Sequence, residues 1–269
     1  MTIAIGTCFD GGVIVCADTR VVATDGATTS DSKLFASLSP KGRLFLIADA
    51  AEDANAAKML GREISSAICD VENPYEPGPA IKAAMTTWHS SYHHFQPPNL
   101  QFLIASVVVG NKSGQVFLCE PPSTVAFGWP IAIGRGARAV EPRISILGPY
   151  AGKSMDAKSA LLRLGYLMFL AKRDEASACG GNTHTIVASV EGGIALIDDE
   201  EMEEAEKLAK EMDSALIKAI ETLASCPQKN PAQKLSETFH SITEKYEKAA
   251  FPSLKMLEKL VLPKRNLHA

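Results

Sequence analysis

The order of hydrophobic and polar positions divides the chain into β-rich and helical segments. Near the start, apolar runs at residues 2–9 and 13–17 flank Asp10-Gly11-Gly12. Two β-rich runs joined by a turn that contains Asp-Gly are typical of a β-hairpin. Two more short strands are predicted at residues 33–37 and 43–48.

Helical periodicity begins after Asp53. Leu60, Ile64 and Ile68 recur at intervals of four, which predicts an amphipathic helix. After a Pro- and Gly-rich break at residues 73–79, a second apolar stripe has spacings of four, three, four and three. It consists of Ile81, Met85, Trp88, Tyr92 and Phe95. Pro97-Pro98 is expected to end that helix.

The second half of the chain repeats this alternation. Four further strands are predicted at residues 102–109, 116–119, 185–190 and 194–197. A third helix is predicted from Ser154, a suitable N-cap residue, to about Lys172. Beyond Asp198 the pattern is helical throughout, with breaks at Pro227 and Pro231.

The order of elements predicts the fold class. Strands come as antiparallel hairpins, helices follow in groups, and regular βαβ alternation is absent. This favours an α+β fold with two stacked, mainly antiparallel sheets and outer helices, a four-layer αββα sandwich. We predict one domain over residues 2–200 and a C-terminal helical extension over residues 201–269.

Composition limits the function classes. The chain has 269 residues and a formal net charge of -4, with Lys and Arg scattered along it, so nucleic-acid binding is not expected. No apolar stretch is long enough for a membrane span, and no basic and apolar leader begins the chain. Six cysteines without CxxC spacing suit a reducing compartment. We therefore expect a cytoplasmic protein.

Three residues near the start suggest a catalytic group. Thr2 follows Met1, and its side chain is small enough for that methionine to be removed. The exposed α-amine would then have a pKa of about 7.7–8.0 and could activate the hydroxyl of the same residue. Lys33 could lower the pKa of that amine, and Asp18 could hold Lys33 charged. Taken singly, each residue has an ordinary structural explanation, so the hypothesis rests on their combination.

The same segment resembles the opening of a proteasome β subunit. The shared features are a leading threonine, a GGV hairpin and an apolar strand ending in Ala17-Asp18-Thr19-Arg20. The resemblance implies that Thr2 is the nucleophile, Asp18 the strand-end aspartate and Lys33 the active-site lysine. It covers roughly residues 2–200.

Two later segments agree with this resemblance. Residues 131–136 are similar to the family's Ile-Gly-Ser-Gly segment. Residues 154–177 are similar to a stretch whose helix ends in Ala-x-x-Arg-Asp, here the shorter Ala171-Lys172-Arg173-Asp174, followed by Ser177 and Gly180-Gly181. The resemblance implies that Asp174 and Ser177 support the hydroxyl and the amine of the threonine.

The sequence departs from the family at two positions near the site. Arg135 stands where the family usually has serine, and Asp49 where it usually has the first residue of a Gly-Gly pair. The family's oxyanion donor is a backbone N–H, which Asp49 can still supply, but a carboxylate that pointed inward would repel the oxyanion. Asp31 is expected near the pocket for the side chain that precedes the cut, which would favour basic side chains.

The implied activity is that of a threonine peptidase acting on peptides or polypeptides. The resemblance also implies a homo-oligomeric ring, with an ATP-dependent unfoldase as a candidate partner, since the chain has no nucleotide-binding loop of its own. No cofactor is expected. His89 and His93 have the i, i+4 spacing of metal ligands, but no acidic or cysteine partner is near, so no metal site is predicted. The alternatives are a non-catalytic assembly subunit and an amide-bond transferase or ligase that uses the same Thr2.

Overall fold

The computed structural model describes most of the chain and confirms an α+β fold with antiparallel sheets. The described residues are 2–22, 28–39, 42–69, 71, 77–91, 97–111, 114–121, 123–127, 130–147, 155–225 and 231–257. Their strands are β1 Ile3–Phe9, β2 Gly12–Asp18, β3 Arg20–Val22, β4 Thr28–Ser30, β5 Leu34–Leu38, β6 Arg43–Ala51, β7 Leu100–Val108, β8 Gln115–Glu120, β9 Ser123–Phe127, β10 Ile131–Gly134, β11 Thr183–Ser189 and β12 Ile194–Ile197. Their helices are α1 Ala54–Cys69, α2 Gly78–Ser90, α3 Ala137–Leu147, α4 Ala157–Asp174, α5 Asp199–Ser225, α6 Pro231–Lys248 and α7 Pro252–Leu257.

The first sheet carries the N-terminal hairpin at its centre. Its strand order is β10-β1-β2-β11-β12, and every neighbouring pair is antiparallel. The predicted turn at Asp10-Gly11 joins β1 to β2, with Phe9 opposite Gly12. Because β1 lies between β10 and β2, the residue that precedes it is held between the ends of these two strands.

The second sheet has the order β5-β6-β7-β8-β9 and is also antiparallel throughout. A separate two-stranded ribbon pairs β3 with β4. The start of β5 and the end of β6 lie beside the start of β1. Lys33, which precedes β5, and Asp49, near the end of β6, are therefore close to Thr2.

Three apolar clusters hold these elements together. One joins facing side chains of the two sheets, such as Val15 of β2 and Leu103 of β7. A second packs the other face of the first sheet against α4, through residues such as Ile14 and Leu161. The third packs the second sheet against α1 and α2. It consists of Phe45, Ile47, Ala56, Ala57, Leu60, Ile64, Ile68, Ile81, Met85, Trp88, Leu100, Phe102, Ile104, Phe117 and Cys119. These clusters are consistent with a sandwich of two sheets.

The C-terminal helices share the core of the preceding residues. Met202 and Ala205 of α5, together with Phe251 and Leu254, belong to the cluster that contains β1 and α4. Helix α5 packs against α4, and α7 packs against β12. No helix in the described part of the chain combines the length and the apolar character needed to cross a bilayer.

Several elements were not predicted from the sequence. Strands β9 and β10, the ribbon of β3 and β4, and helix α3 lie in segments with weak periodicity. Helix α3 contains Pro142, whose missing N–H and ring normally argue against a helix interior. The predicted extension of α2 through Tyr92 and Phe95 falls outside the described residues. The predicted N-cap of α4, Ser154, is wrong: the helix begins at Ala157 and its N-cap is Asp156.

Helix α4 has a side-chain cap that can be tested. The carboxylate of Asp156 accepts a hydrogen bond of 2.6 Å from the Ser159 N–H, which satisfies one of the four free donors of the first turn. We expect Asp156→Ala to lower the free energy of unfolding by about 1 kcal/mol, as measured by denaturant titration. Asp156→Asn keeps an oxygen that can accept this hydrogen bond, so its free energy of unfolding should fall much less. Equal losses in the two variants would contradict the capping role.

Candidate active site

Thr2 immediately precedes β1, at the end of the first sheet where this strand begins. It is 2% exposed. Its carbonyl oxygen accepts a hydrogen bond of 3.3 Å from the Gly136 N–H, and the next residue, Ile3, is paired with Gly134 of β10. The backbone of Thr2 is therefore fixed by the neighbouring strand and the turn that follows it.

Gly134 makes this close approach possible. Its φ is +86°, a conformation that side chains other than glycine rarely adopt. A Cβ at this position would lie 2.3 Å from the Thr2 carbonyl oxygen. The Gly134 N–H donates a 2.7 Å hydrogen bond to the Gln101 side chain of β7, which ties this segment to the second sheet.

Asp18 ends β2 with a fully buried side chain beside Thr2. One carboxylate oxygen accepts hydrogen bonds from the Thr2 hydroxyl and, at 3.1 Å, from the Ile3 N–H. The other accepts a 2.9 Å hydrogen bond from the Gly180 N–H. These donors supply hydrogen bonds to a carboxylate that is removed from water.

Lys33 precedes β5 and reaches the same point from the other sheet. Its ammonium forms a 2.8 Å salt bridge with Asp18, donates a 2.6 Å hydrogen bond to the Arg20 carbonyl oxygen and contacts the Thr2 hydroxyl oxygen. Three acceptors therefore match the three protons of the ammonium. The structure brings together Thr2, Asp18 and Lys33, three of the five residues predicted as catalytic.

This arrangement can support a nucleophilic oxygen. Lys33 donates to the Thr2 hydroxyl oxygen, so its positive charge would stabilise negative charge that develops there. The same ammonium is held by the Asp18 carboxylate, which fixes its position.

The other two predicted residues lie elsewhere. Asp174 is the last residue of α4, exposed, and its carboxylate binds the Arg173 guanidinium through two contacts of 2.6 and 3.1 Å. This interaction lowers the pKa of Asp174. Arg173 also donates to Asp213 of α5 at 2.7 Å. Ser177 is exposed in the turn after α4. Within the described chain, neither residue forms a hydrogen bond or an ion pair with Thr2, so the structure does not bring them into this group.

The loop after α4 instead contributes through its backbone. Arg20 donates a hydrogen bond to the Ala176 carbonyl oxygen, and its guanidinium lies so close to Gly180 that a Cβ there would be 2.5 Å from its central carbon. Arg20 thus holds the loop against the first sheet, and the loop presents the Gly180 N–H to Asp18. Gly180-Gly181 was the sequence signal for this contact.

Two residues near the site were missed by the sequence analysis. Glu175 lies 3.7 Å from Arg135, so a carboxylate accompanies the arginine that departs from the family. Cys179 is buried next to Gly136, and burial raises the pKa of its thiol to about 12. Cys179 is therefore a neutral thiol at neutral pH and a poor nucleophile. Both residues lie within five positions before Gly180, so an alignment of this loop on Gly180-Gly181 instead of on Asp174 would have identified them.

A surface pocket adjoins Thr2. Its lining comes from the residue before β1, from β3, from the segment before β5, from the end of β6 and from α1. It consists of Thr2, Arg20, Val21, Asp31, Ser32, Lys33, Asp49, Ala51, Ala54 and Lys58. Asp31 does line it, but this exposed carboxylate forms a 2.8 Å salt bridge with Lys58. The charge of Asp31 is therefore largely offset.

Asp49 occupies the pocket side of β6. Its N–H donates to the Lys33 carbonyl oxygen over 3.3 Å, so it would have to leave this long hydrogen bond to serve as an oxyanion donor. Burial raises the pKa of the Asp49 carboxyl to about 6, partly opposed by the positive charges of Lys33 and Lys58.

The histidine spacing gains no support as a metal site. His89 is exposed at the end of α2, and His93 lies outside the described residues. Among the residues that the structure does describe, no group of three or more histidine, cysteine, aspartate or glutamate side chains could hold a metal ion.

The fold is similar to that of Anbu proteins. Anbu from Yersinia bercovieri, described as an ancestral β-subunit, has a TM-score of 0.67, with 14% identity over 84% of this chain and 98% of that one. The Gly-1 mutant of Anbu from Hyphomicrobium sp. strain MC1 has a TM-score of 0.64, with 16% identity over 85% and 99% of the two chains. Another Anbu structure from that strain has a TM-score of 0.63, with 16% identity over 84% of this chain and 98% of that one. No protein-family model and no curated protein matches the sequence. At these identities the likeness shows the fold.

Proposed function

We propose that this chain is a proteasome-type threonine peptidase whose nucleophile is Thr2 after removal of Met1. The observation that carries the proposal is the convergence of Thr2, Asp18 and Lys33 from two different sheets on one buried point. A fold alone does not define an activity, whereas this geometry provides the groups that the reaction requires. The description of the Yersinia bercovieri Anbu as an ancestral β-subunit supports a place in the proteasome β-like family.

The chemistry follows from the contacts around the hydroxyl. The free α-amine of Thr2 takes the hydroxyl proton while Oγ attacks a peptide carbonyl, and Lys33 stabilises the charge on that oxygen. The C–N bond then breaks, its nitrogen receives the proton from the amine, and an ester to Thr2 remains. Water attacks the ester with the amine as base, which releases the acid and restores the hydroxyl.

The wider proposal includes architecture and partners. We infer a four-layer αββα arrangement because one apolar cluster joins the sheets and two others join their outer faces to helices. We further propose a domain over residues 2–200 with an extension over residues 201–269. The chain would assemble into a homo-oligomeric ring in the cytoplasm, cleave peptides or polypeptides, and receive substrates from an ATP-dependent unfoldase partner. Native molecular-weight measurement tests the ring.

The test of the central claim combines intact mass with covalent labelling. We expect the expressed protein to lack Met1. A peptide electrophile that targets N-terminal threonine should then react once per chain, on Thr2. Thr2→Ala should lose both the labelling and the cleavage of fluorogenic peptides. Thr7→Ala is a matched control, because Thr7 of β1 is also buried, and its hydroxyl bonds only the adjacent Cys8 carbonyl oxygen among the described residues. Retention of Met1, or labelling that survives Thr2→Ala, would refute the proposal.

A non-catalytic assembly subunit is the second candidate. Two observations favour it: Asp174 and Ser177 lie away from Thr2, and the Asp49 N–H is already bonded to the Lys33 carbonyl oxygen. This candidate predicts a ring of the same size in which Thr2 is not labelled. The two measurements above therefore separate it from the peptidase.

A further inference from the structure

The pocket beside Thr2 contains a carboxylate that the catalytic group does not use. In the described part of the chain, no hydrogen bond or salt bridge involves the side chain of Asp49, which is only partly accessible to solvent. The other acidic groups at this end are matched: Asp18 pairs with Lys33, and Asp31 pairs with Lys58. Asp49 is thus the carboxylate of the pocket that lacks a positive partner.

The pleat of β6 determines which way this carboxylate points. Successive side chains of a strand face opposite sides of the sheet. Ala48 and Ala50 lie in the cluster between the two sheets, whereas Ile47 and Ala51 pack with the helices. Asp49 therefore shares the helical side with Ile47 and Ala51. Lys58 of α1 contributes to its electrostatic surroundings.

This direction decides between two roles. A substrate carbonyl under attack must lie at the Thr2 hydroxyl, which is held where the two sheets meet. The Asp49 carboxylate points away from that interface, so it does not face the developing oxyanion. It faces the space beside α1, which belongs to the pocket that adjoins Thr2 and so lies within reach of a substrate side chain next to the scissile bond.

We infer that Asp49 is a specificity-determining residue that selects substrates with a cationic side chain, lysine or arginine, immediately before the scissile bond. This inference rests on the proposed function, and it moves the basic preference expected from Asp31 to a different residue. A half-buried carboxylate without a partner gains more from a cation than an exposed, already paired one does.

The test uses two fluorogenic peptides that differ only in arginine or citrulline before the scissile amide. Citrulline keeps the shape of arginine and removes its charge. We expect kcat/KM to be at least about tenfold higher for arginine, since a hydrogen bond to a charged group changes affinity by that order. In Asp49→Asn the ratio should fall close to one. In Asp31→Asn, the matched control, the ratio should stay near that of the wild type.

The pH dependence adds a readout that a merely structural role would not change. Asp49 is faced by Lys33 from the segment before β5, by Lys58 from α1 and by Asp31. The arginine preference requires the ionised carboxylate, so it should be present at neutral pH and decline below the Asp49 pKa of about 6. Asp49→Asn should show no such decline.

The outcomes separate this inference from the proposed function. If Thr2-dependent cleavage occurs but arginine and citrulline peptides are cut equally, or if Asp49→Asn keeps the arginine preference, the specificity inference is wrong and the peptidase stands. If neither these peptides nor a leucine peptide is cleaved and Thr2 is not labelled, the proposed function fails and the inference fails with it.

Discussion

Lys33→Met is expected to inactivate the protein and to destabilise it at the same time. The labelling rate of Thr2 should fall at least about a hundredfold, the order of effect seen when a positioned catalytic group is removed. The free energy of unfolding should fall by about 3 kcal/mol, because the fully buried Asp18 carboxylate loses its charge partner. This loss of unfolding free energy is at the lower end of the range for breaking a buried ion pair, because the Ile3 and Gly180 N–H groups still donate hydrogen bonds to Asp18.

Two further variants identify the cause of that loss. Asp18→Asn combined with Lys33→Met removes both charges and should recover most of the stability without restoring labelling. Lys58→Met removes an exposed lysine of the same pocket and should leave denaturant unfolding unchanged. A Lys33→Met protein that unfolds like the wild type, or a double variant less stable than the single one, would contradict the buried ion pair.

Asp49→Asn is expected to stabilise the folded protein at neutral pH. Burial raises the pKa of Asp49 from 3.8 to about 6, so the folded state holds this proton more tightly than the unfolded chain does. Between those pH values the unfolded chain has released the proton and the folded protein has not. The free energy of unfolding contributed by Asp49 therefore falls as the pH rises, and the loss is complete above about pH 6.

The expected size follows from the shift. Each unit of pKa corresponds to about 1.4 kcal/mol, so ionised Asp49 costs the folded state up to about 3 kcal/mol. Since a half-buried asparagine amide has its own desolvation cost, we expect a net gain of about 2 kcal/mol in Asp49→Asn at neutral pH. Asp49→Asn should lose this advantage as the pH approaches 4, because Asp49 is then protonated in the folded protein. Urea titrations across this range measure the difference, and a constant difference at every pH would contradict the explanation.

The N-terminal half of the fold was predictable because its signals are local. The Asp10-Gly11 turn and the fourfold spacing of Leu60, Ile64 and Ile68 require no knowledge of distant residues. Helix α3 was missed because Pro142 opposes it locally, and packing beside α4 overrides that preference. Strand β10 was missed because only four residues carry its pattern, and its stability comes from pairing with β1.

The candidate site was predictable in part for the same reason. Thr2, Asp18 and Lys33 lie at the ends or beginnings of strands, and the resemblance fixed their spacing. The assignments of Asp174 and Ser177 depended on the length of the turn after α4. That turn places Glu175 beside Arg135 and the Gly180 N–H on Asp18. Backbone donors and ion pairs across a loop leave no spacing pattern in the sequence, so this contribution became visible only in three dimensions.

The position of Thr2 at the start of a central strand has a practical consequence for handling the protein. A purification tag fused ahead of this residue would convert its amine into an amide, while β1, Lys33 and Asp18 could remain in place. Under the proposed mechanism, such a fusion would purify and unfold like the untagged protein and yet cleave nothing. Assays therefore require an untagged amino terminus, with any affinity handle carried at the opposite end of the chain.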